Sequence, residues 1–267
     1  MIFVLWGEDK SCKTTLALSF PKPLVHLELD IGGFDRANRN LPHLHIKDWV
    51  KDGSIIHKEF VLPLQIEHFD PVLTARARKI VVGMKELFYD MVGEYIKYLK
   101  DPNISTIVLD TGTIFYNLVC DAYLQEMQES QLPLRPDGLG KDGKPLRVQL
   151  QQQEYREPYT RMASIIYQAK AHKKHLVLTH HATDEYGMVQ QGQGVIGMGM
   201  TGKRQLHGWK KLGAACDVFG KTYWNSNVKK PYFTVELAEV KELEGMTFEE
   251  PTYDMISTTI KMIRGEE

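Results

Sequence analysis

Ile2-Phe3-Val4-Leu5-Trp6-Gly7-Glu8-Asp9-Lys10-Ser11-Cys12-Lys13-Thr14-Thr15-Leu16 is the stretch from which the fold of this chain is read. An apolar run of strand character meets a turn, then Lys13-Thr14, then a helical pattern. That is the order of a phosphate-binding P-loop, in which backbone N–H groups and a helix N-terminus cradle phosphate oxygens. In the spacing G-x-x-x-x-G-K-[ST], Gly7 is in place and Cys12 sits where the second glycine belongs. The expected cradle is Gly7, Glu8, Asp9, Lys10, Ser11, Cys12, Lys13, Thr14 and Thr15, with Lys13 as the charge on the β/γ-phosphates and Thr14 as a Mg²⁺ ligand. A chance strand-turn-helix is the competing reading; the flanking pattern and a downstream Asp110 disfavour it.

Working outward, Leu24 to Asp30 reads as a buried strand with Glu28 and Asp30 toward its carboxyl end, and Ile31-Gly32-Gly33 as a turn. A helix of Lys13 to about Phe20 between the two strands makes a βαβ unit, hence a parallel sheet with ligands at the carboxyl ends of its strands. Residues 34–83 are the least patterned part, with Phe60-Val61-Leu62 as an added or edge strand. The apolar spacing from Met84 to Leu99 predicts a helix. Ser105-Thr106-Ile107-Val108-Leu109-Asp110 is a β-branched run ending in an acid, the pattern that delivers a Walker B carboxylate to the Mg²⁺ shell. Helices are expected at 114–129 and 153–172, with a Pro/Gly-rich exposed loop at 130–150. The strand Lys174 to His181 ends in polar residues, and a Gly-rich segment, 184–207, reads as a functional loop. Val218–Trp224 and Tyr232–Leu237 read as paired strands.

Composition sets bounds on function. A chain of 267 residues accommodates one large α/β domain, or one with an insertion at 34–83, and the strand at residue 2 leaves no expected domain ahead of it. The formal charge of −1 gives no global attraction to nucleic acid. Locally, residues 200–230 carry seven Lys or Arg against Asp217, and residues 236–267 carry nine acids against three bases. Cys12, Cys120 and Cys216 form no close pair, which favours reduced thiols in the cytoplasm. No apolar run reaches the roughly 20 residues of a membrane helix.

Each candidate residue has a bland alternative. Asp110 alone is an ordinary strand-end aspartate; together with Lys13-Thr14 it is a metal-side carboxylate. Glu28 and Asp30 share a strand face, and Asp30, nearer the strand end, is the favoured acid for orienting or deprotonating water. His180 and His181 end a buried strand, where a polar side chain can sense the γ-phosphate. No cysteine pair supports zinc at these residues with His172 or His175. Lys203, Arg204, Trp209, Lys210 and Lys211 mix basic and aromatic character as single-strand binders do, or form a solvated basic face.

The order of these parts resembles a RecA-type ATPase core: a mainly parallel α/β sheet flanked by helices, with antiparallel strands at the C-terminal edge. More closely, Lys13-Thr14-Thr15-Leu16-Ala17, Leu109-Asp110-Thr111 and Leu178-Thr179-His180 resemble the short phage-encoded RecA-like nucleotide-binding proteins linked to single-strand annealing and recombination, over about residues 1–237. The resemblance implies ATP and Mg²⁺ at the P-loop, a homo-oligomer (ring or filament) with ATP at subunit interfaces, single-stranded DNA on the central loops and a single-strand binding protein as candidate partner. By position it makes Asp30 the catalytic acid, with Glu28, Lys13 and His180 beside it, and 184–205 the second DNA-binding loop. Residues 238–267 form an acidic C-terminal segment, and Cys12 departs from the family pattern. Two other readings stay open: a P-loop kinase with Arg135, Lys141, Lys144 and Arg147 as a lid, and a non-hydrolysing nucleotide-binding assembly protein.

Overall fold

In the computed structural model, residues 1–40, 45–65, 80–137, 139–191 and 195–266 are described. Strand β1 (Ile2–Gly7) is buried along its whole length. On one side it pairs in parallel with β5 (His175–Gln191), and on the other with β7 (Val218–Asn225). Beyond β5 come β4 (Thr106–Asp110), β2 (Leu24–Glu28) and β3 (Ile55–Glu59), all parallel. Beyond β7 the sheet turns antiparallel with β8 (Lys230–Ala238) and β9 (Thr247–Glu249). The order is therefore β3-β2-β4-β5-β1-β7-β8-β9, the mainly parallel α/β architecture that the sequence led one to expect.

Period-two alternation sends successive residues to opposite faces, and both faces of a parallel sheet must be covered. Ile2, Val4, Ile107, Leu109, Leu176 and Leu178 face one core. Three helices cover it: α4 (Met84–Lys100), α5 (Gly112–Gln131) and α6 (Arg156–Ala171). Phe3, Leu5, Val108, Val177 and Val218 face the other. There the cover is α1 (Lys13–Ala17), α3 (Ile46–Lys51) and the C-terminal helix α8 (Tyr253–Arg264), which buries Ile256 and Ile260. Helix α2 (Gly33–Asn40) follows β2, and α7 (Leu212–Ala215) precedes β7.

Several boundaries differ from expectation. Helix α1 stops at Ala17, and a turn carries the chain to the prolines at 21 and 23. The added strand is Ile55–Glu59, and Phe60-Val61-Leu62 lies just past it, because pairing with Leu24–Glu28 sets its register. The largest change is at 184–207, expected as a Gly-rich loop. It is instead an antiparallel ribbon in which β5 runs on to Gln191 and pairs with β6 (Val195–Leu206). Gly187 pairs with Gly199, so glycine meets glycine across the ladder, and Tyr186–Met200 and Met188–Met198 supply the side-chain pairs. The expected glycines at 138, 192 and 194 lie outside the described residues.

Candidate phosphate and metal site

The parallel register brings the strand ends together. Gly7 of β1 lies opposite His181 of β5 and Thr222 of β7, and Glu28 of β2 lies opposite Asp110 of β4. The loop leaving β1 therefore rises over the carboxyl ends of four other strands. A Cβ on Gly7 would lie 2.2 Å from the Thr222 carbonyl oxygen, so β7 passes too close for any side chain there. Ser11 and Thr222 join their hydroxyls at 2.7 Å and tie the loop to that strand.

Cys12 ends the loop in the left-handed conformation, φ 69°, which explains why glycine is the expected residue. Its thiol is buried and pushed up to about 11 by desolvation, opposed by the charge on Lys13. The Lys13 ammonium folds back onto the loop and donates to the carbonyls of Gly7 (3.0 Å) and Glu8 (2.8 Å). Burial lowers its pKa, while the carboxylates of Asp110, Asp9, Asp30 and Glu8 act the other way.

Thr14 donates its hydroxyl proton to Asp110 Oδ2 at 2.6 Å. The same oxygen faces His26 Nε2 at 3.1 Å, and Oδ1 accepts from the Thr179 hydroxyl. Burial alone would raise the Asp110 pKa, but these partners outweigh it and hold the carboxyl down at about 2. A hydroxyl and an ionised carboxylate, both hard oxygen donors, suit Mg²⁺. Thr14 and Asp110 would hold such an ion, which would supply neutralising charge to a bound polyphosphate.

Glu28 and Asp30 part company in the structure. Glu28 is fully buried, and its Oε1 accepts the N–H groups of Gly33 (2.6 Å) and Phe34 (3.1 Å). Burial raises its pKa; His26 and the two N–H groups pull it back. Asp30 opens onto the cleft and sits 3.5 Å from Arg36. Gly33 is a residue the sequence reading missed. A Cβ there would stand 2.8 Å from Glu28 Oε1 and 3.5 Å from both Asp110 Oδ2 and Thr14 Oγ1. The approach to Glu28 Oε1 is the tight one, and it is what a side chain at position 33 would disturb.

The cleft above them has a volume of about 370 Å³ and is lined by Asp9 to Thr15, Asp30, Gly33, Arg36, Ala37, Asp110, Thr111 and His181. The histidine on this cleft is thus His181, which meets Asp9 at 3.0 Å. His180 points the other way. It is fully buried under Gly112, shares Thr113 Oγ1 (3.2 Å) and the His207 carbonyl (3.1 Å), and desolvation lowers it to about 3.

Among the residues expected to contact DNA, Lys203, Lys210 and Lys211 are exposed. Arg204 is exposed but engaged, donating to Glu8 of the phosphate loop (2.7 and 3.0 Å) and to Asp184 (2.6 Å). Trp209 is only 4% exposed and packs in the core under α5 and α6, so its ring offers no open face to a base. Its position in a basic segment carried no sign of this; the neighbouring Leu206 and Leu212 did. Arg135, Lys141, Lys144 and Arg147, the alternative kinase lid, line no part of the cleft. Their segment packs back on α5, where Gln128 donates to the Arg147 carbonyl and Gln131 accepts from the Arg147 N–H.

A P-loop, a hydroxyl-bonded strand-end acid, and a strand inserted between their two strands stand together on this sheet. The fold is a mainly parallel α/β sheet with the candidate site at the carboxyl ends of its strands. No protein-family model matches the sequence, and no curated protein is significantly similar to it. Among solved structures, a RadB recombinase is 12% identical over 93% of this chain and 85% of its own, with a TM-score of 0.49. The KaiC-like protein PH0186 from Pyrococcus horikoshii OT3 is also 12% identical, over 93% and 83%, with a TM-score of 0.42. Among the described residues no helix is long and apolar enough to cross a membrane.

Proposed function

We propose that the chain is an ATP- and Mg²⁺-binding, RecA-like ATPase that acts on single-stranded DNA in recombination or annealing of the phage type. One observation carries the nucleotide part: the 2.6 Å bond from Thr14 to Asp110 beneath a loop whose lysine is already turned inward. Two residues of the kind that hold a nucleotide-bound metal are brought together from distant parts of the chain. In this reading Lys13 holds the phosphates, Thr14 and Asp110 the metal, and Asp30 orients the attacking water at the cleft mouth.

The DNA part rests on the ribbon of β5 and β6, which stands off the sheet with exposed Tyr186, Met188 and Met200 and exposed Lys203 at its base. An aromatic and a cation on one projecting element suit bases and phosphates. Arg204 links that element to the phosphate loop through Glu8, a route by which nucleotide and DNA sites communicate. The proposed working form is a homo-oligomer, a ring or filament, in the cytoplasm, with a single-strand binding protein as candidate partner.

The deciding experiment is ATP turnover with and without single-stranded DNA, on the wild type and Lys13→Ala. Turnover that rises with DNA and is lost in the variant supports the reading. ATP affinity unchanged in Lys13→Ala overturns the site. Tight ATP binding without turnover in either condition moves the chain to a non-hydrolysing assembly protein, the reading that Cys12 favours.

A further inference from the structure

Behind Asp110, away from the phosphate loop, lies a second cluster of ligand-type side chains. His26 of β2 stands opposite His57 of β3 in the parallel register, and Glu28 follows two residues on along the same face. Nitrogen and oxygen donors of His26, Glu28 and His57 all lie within 4.8 Å of one another. His26 and Glu28 are fully buried, and the His57 side chain is 19% exposed. The Phe34 ring stacks on His57 at 4.5 Å and screens the cluster.

Buried polar atoms normally find partners, and here Glu28 Oε2 does not. His26 Nε2 faces Asp110, a carboxylate that only accepts, so the proton belongs on Nε2 and Nδ1 is left with a lone pair. That lone pair points at His57 Nδ1, 3.0 Å away. If His57 carries its proton on Nδ1, its Nε2 turns a lone pair toward Glu28 Oε2 at 3.3 Å and Glu59 Oε1 at 3.4 Å. If it carries the proton on Nε2, two lone pairs meet between the rings. Glu28 Oε1 is taken by two backbone N–H groups, and Oε2 lacks a hydrogen-bond partner because the His57 contact is misaligned. Neither neutral tautomer of His57 satisfies every group, and a cation held by one donor atom from each of the three residues removes the conflict.

We propose that His26, Glu28 and His57 form a site for a first-row divalent transition metal of the zinc class, separate from the Mg²⁺ position. Two imidazoles and a carboxylate are the donor set such ions prefer, and Mg²⁺, which takes oxygen ligands, does not compete for it. Ligands at about 2.0–2.2 Å in tetrahedral geometry lie roughly 3.3 Å from each other; the two Nδ1 atoms stand 3.0 Å apart, and one donor atom from each of the three residues lies within 4.8 Å of the others. Asp110 then plays the outer carboxylate that fixes the tautomer of His26. Because His26 and Thr14 share Asp110 Oδ2, the two sites touch through one oxygen.

The test uses the full chain, stripped with a chelator and held in saturating Mg²⁺, titrated with Zn²⁺ by calorimetry and with Co²⁺ by visible absorption. One equivalent of each ion is expected, with cobalt d–d bands and no thiolate charge-transfer band. His57→Ala should weaken zinc by more than the 10- to 100-fold typical of losing an outer-shell partner, and Asp110→Asn by about that range. Thermal melts of the metal-free variants check folding; His57→Gln replaces His57→Ala should the latter not fold. Lys13→Ala should bind zinc as the wild type does, so failure of the nucleotide site is told apart from failure of this one. No zinc binding by the wild type, affinity indifferent to a folded His57 variant, or a cobalt–thiolate band would each overturn the proposal.

Discussion

Thr14 and Asp110 are 96 residues apart in sequence and 2.6 Å apart in space. The parallel strand order places them so, since β5 lies between β1 and β4 and the loop from β1 leans over it. Replacing the hydroxyl by Thr14→Ala leaves Asp110 with His26 and Thr179, so the fold survives. A hydrogen bond to a charged group is worth about 1.5–3 kcal/mol. The Mg²⁺-dependent part of ATP affinity should accordingly fall by at least about tenfold. Titrations with and without Mg²⁺ give the comparison, and a Mg²⁺ effect equal to the wild type's would count against the assignment.

Cys12 holds a left-handed conformation that costs an L-residue roughly 1–2 kcal/mol. Cys12→Gly removes that strain and loses some chain entropy in return, for a net gain of about 0.5–1 kcal/mol in stability. Thermal unfolding of the two proteins measures it. Turnover should rise as well, because the side chain lines the cleft.

Asp30 opens on the cleft, and Glu28 is buried with one oxygen already engaged. A positioned base contributes about 10²–10⁴-fold to rate. Asp30→Asn is therefore expected to lower kcat within that range with little change in ATP affinity, and Glu28→Gln to lower it less. Steady-state kinetics on both variants decide, and the reverse ranking would hand the role to Glu28.

His180 is buried neutral, with its pKa lowered to about 3 by desolvation. Its folded pKa lies below the ordinary value near 6.5, so its contribution is fully present above that value and drains away as pH falls toward 3. At pH 5 the loss amounts to about 2 kcal/mol relative to pH 7. Denaturant unfolding at the two pH values should reveal it, and His180→Asn should flatten that part of the profile.

Lys203, Lys210 and Lys211 are exposed, whereas Trp209 is in the core. Neutralising a lysine that meets phosphate should reduce the salt dependence of single-stranded DNA binding by about one unit of slope. Trp209→Ala should act on stability instead, costing about 3–5 kcal/mol. Binding titrations over a salt series, with melts of each variant, separate the two effects.

The stretch from Ile2 to Leu16 was enough to set the strand, the loop and the helix, because each is local: an apolar run, a turn, a periodic pattern. Asp110 was legible for the same reason, as the acid closing a β-branched run. Cys12 as the odd residue in the loop was legible too, though its φ of 69° had to be seen to say why glycine belongs there. What the sequence could not decide depended on pairing. Glycines that suggest a loop at 184–207 are accommodated in a ribbon once Gly187 lies across from Gly199. Parity along a strand could not choose between Glu28 and Asp30, nor say which of His180 and His181 faces the cleft, since burial and facing follow from the neighbouring elements. The convergence of Glu28, Asp110 and Thr14 on Gly33, and the meeting of His26 with His57, come from three separated strands brought into register. Local chemistry is written in neighbouring residues, but which distant side chains share a buried spot is set by strand order alone.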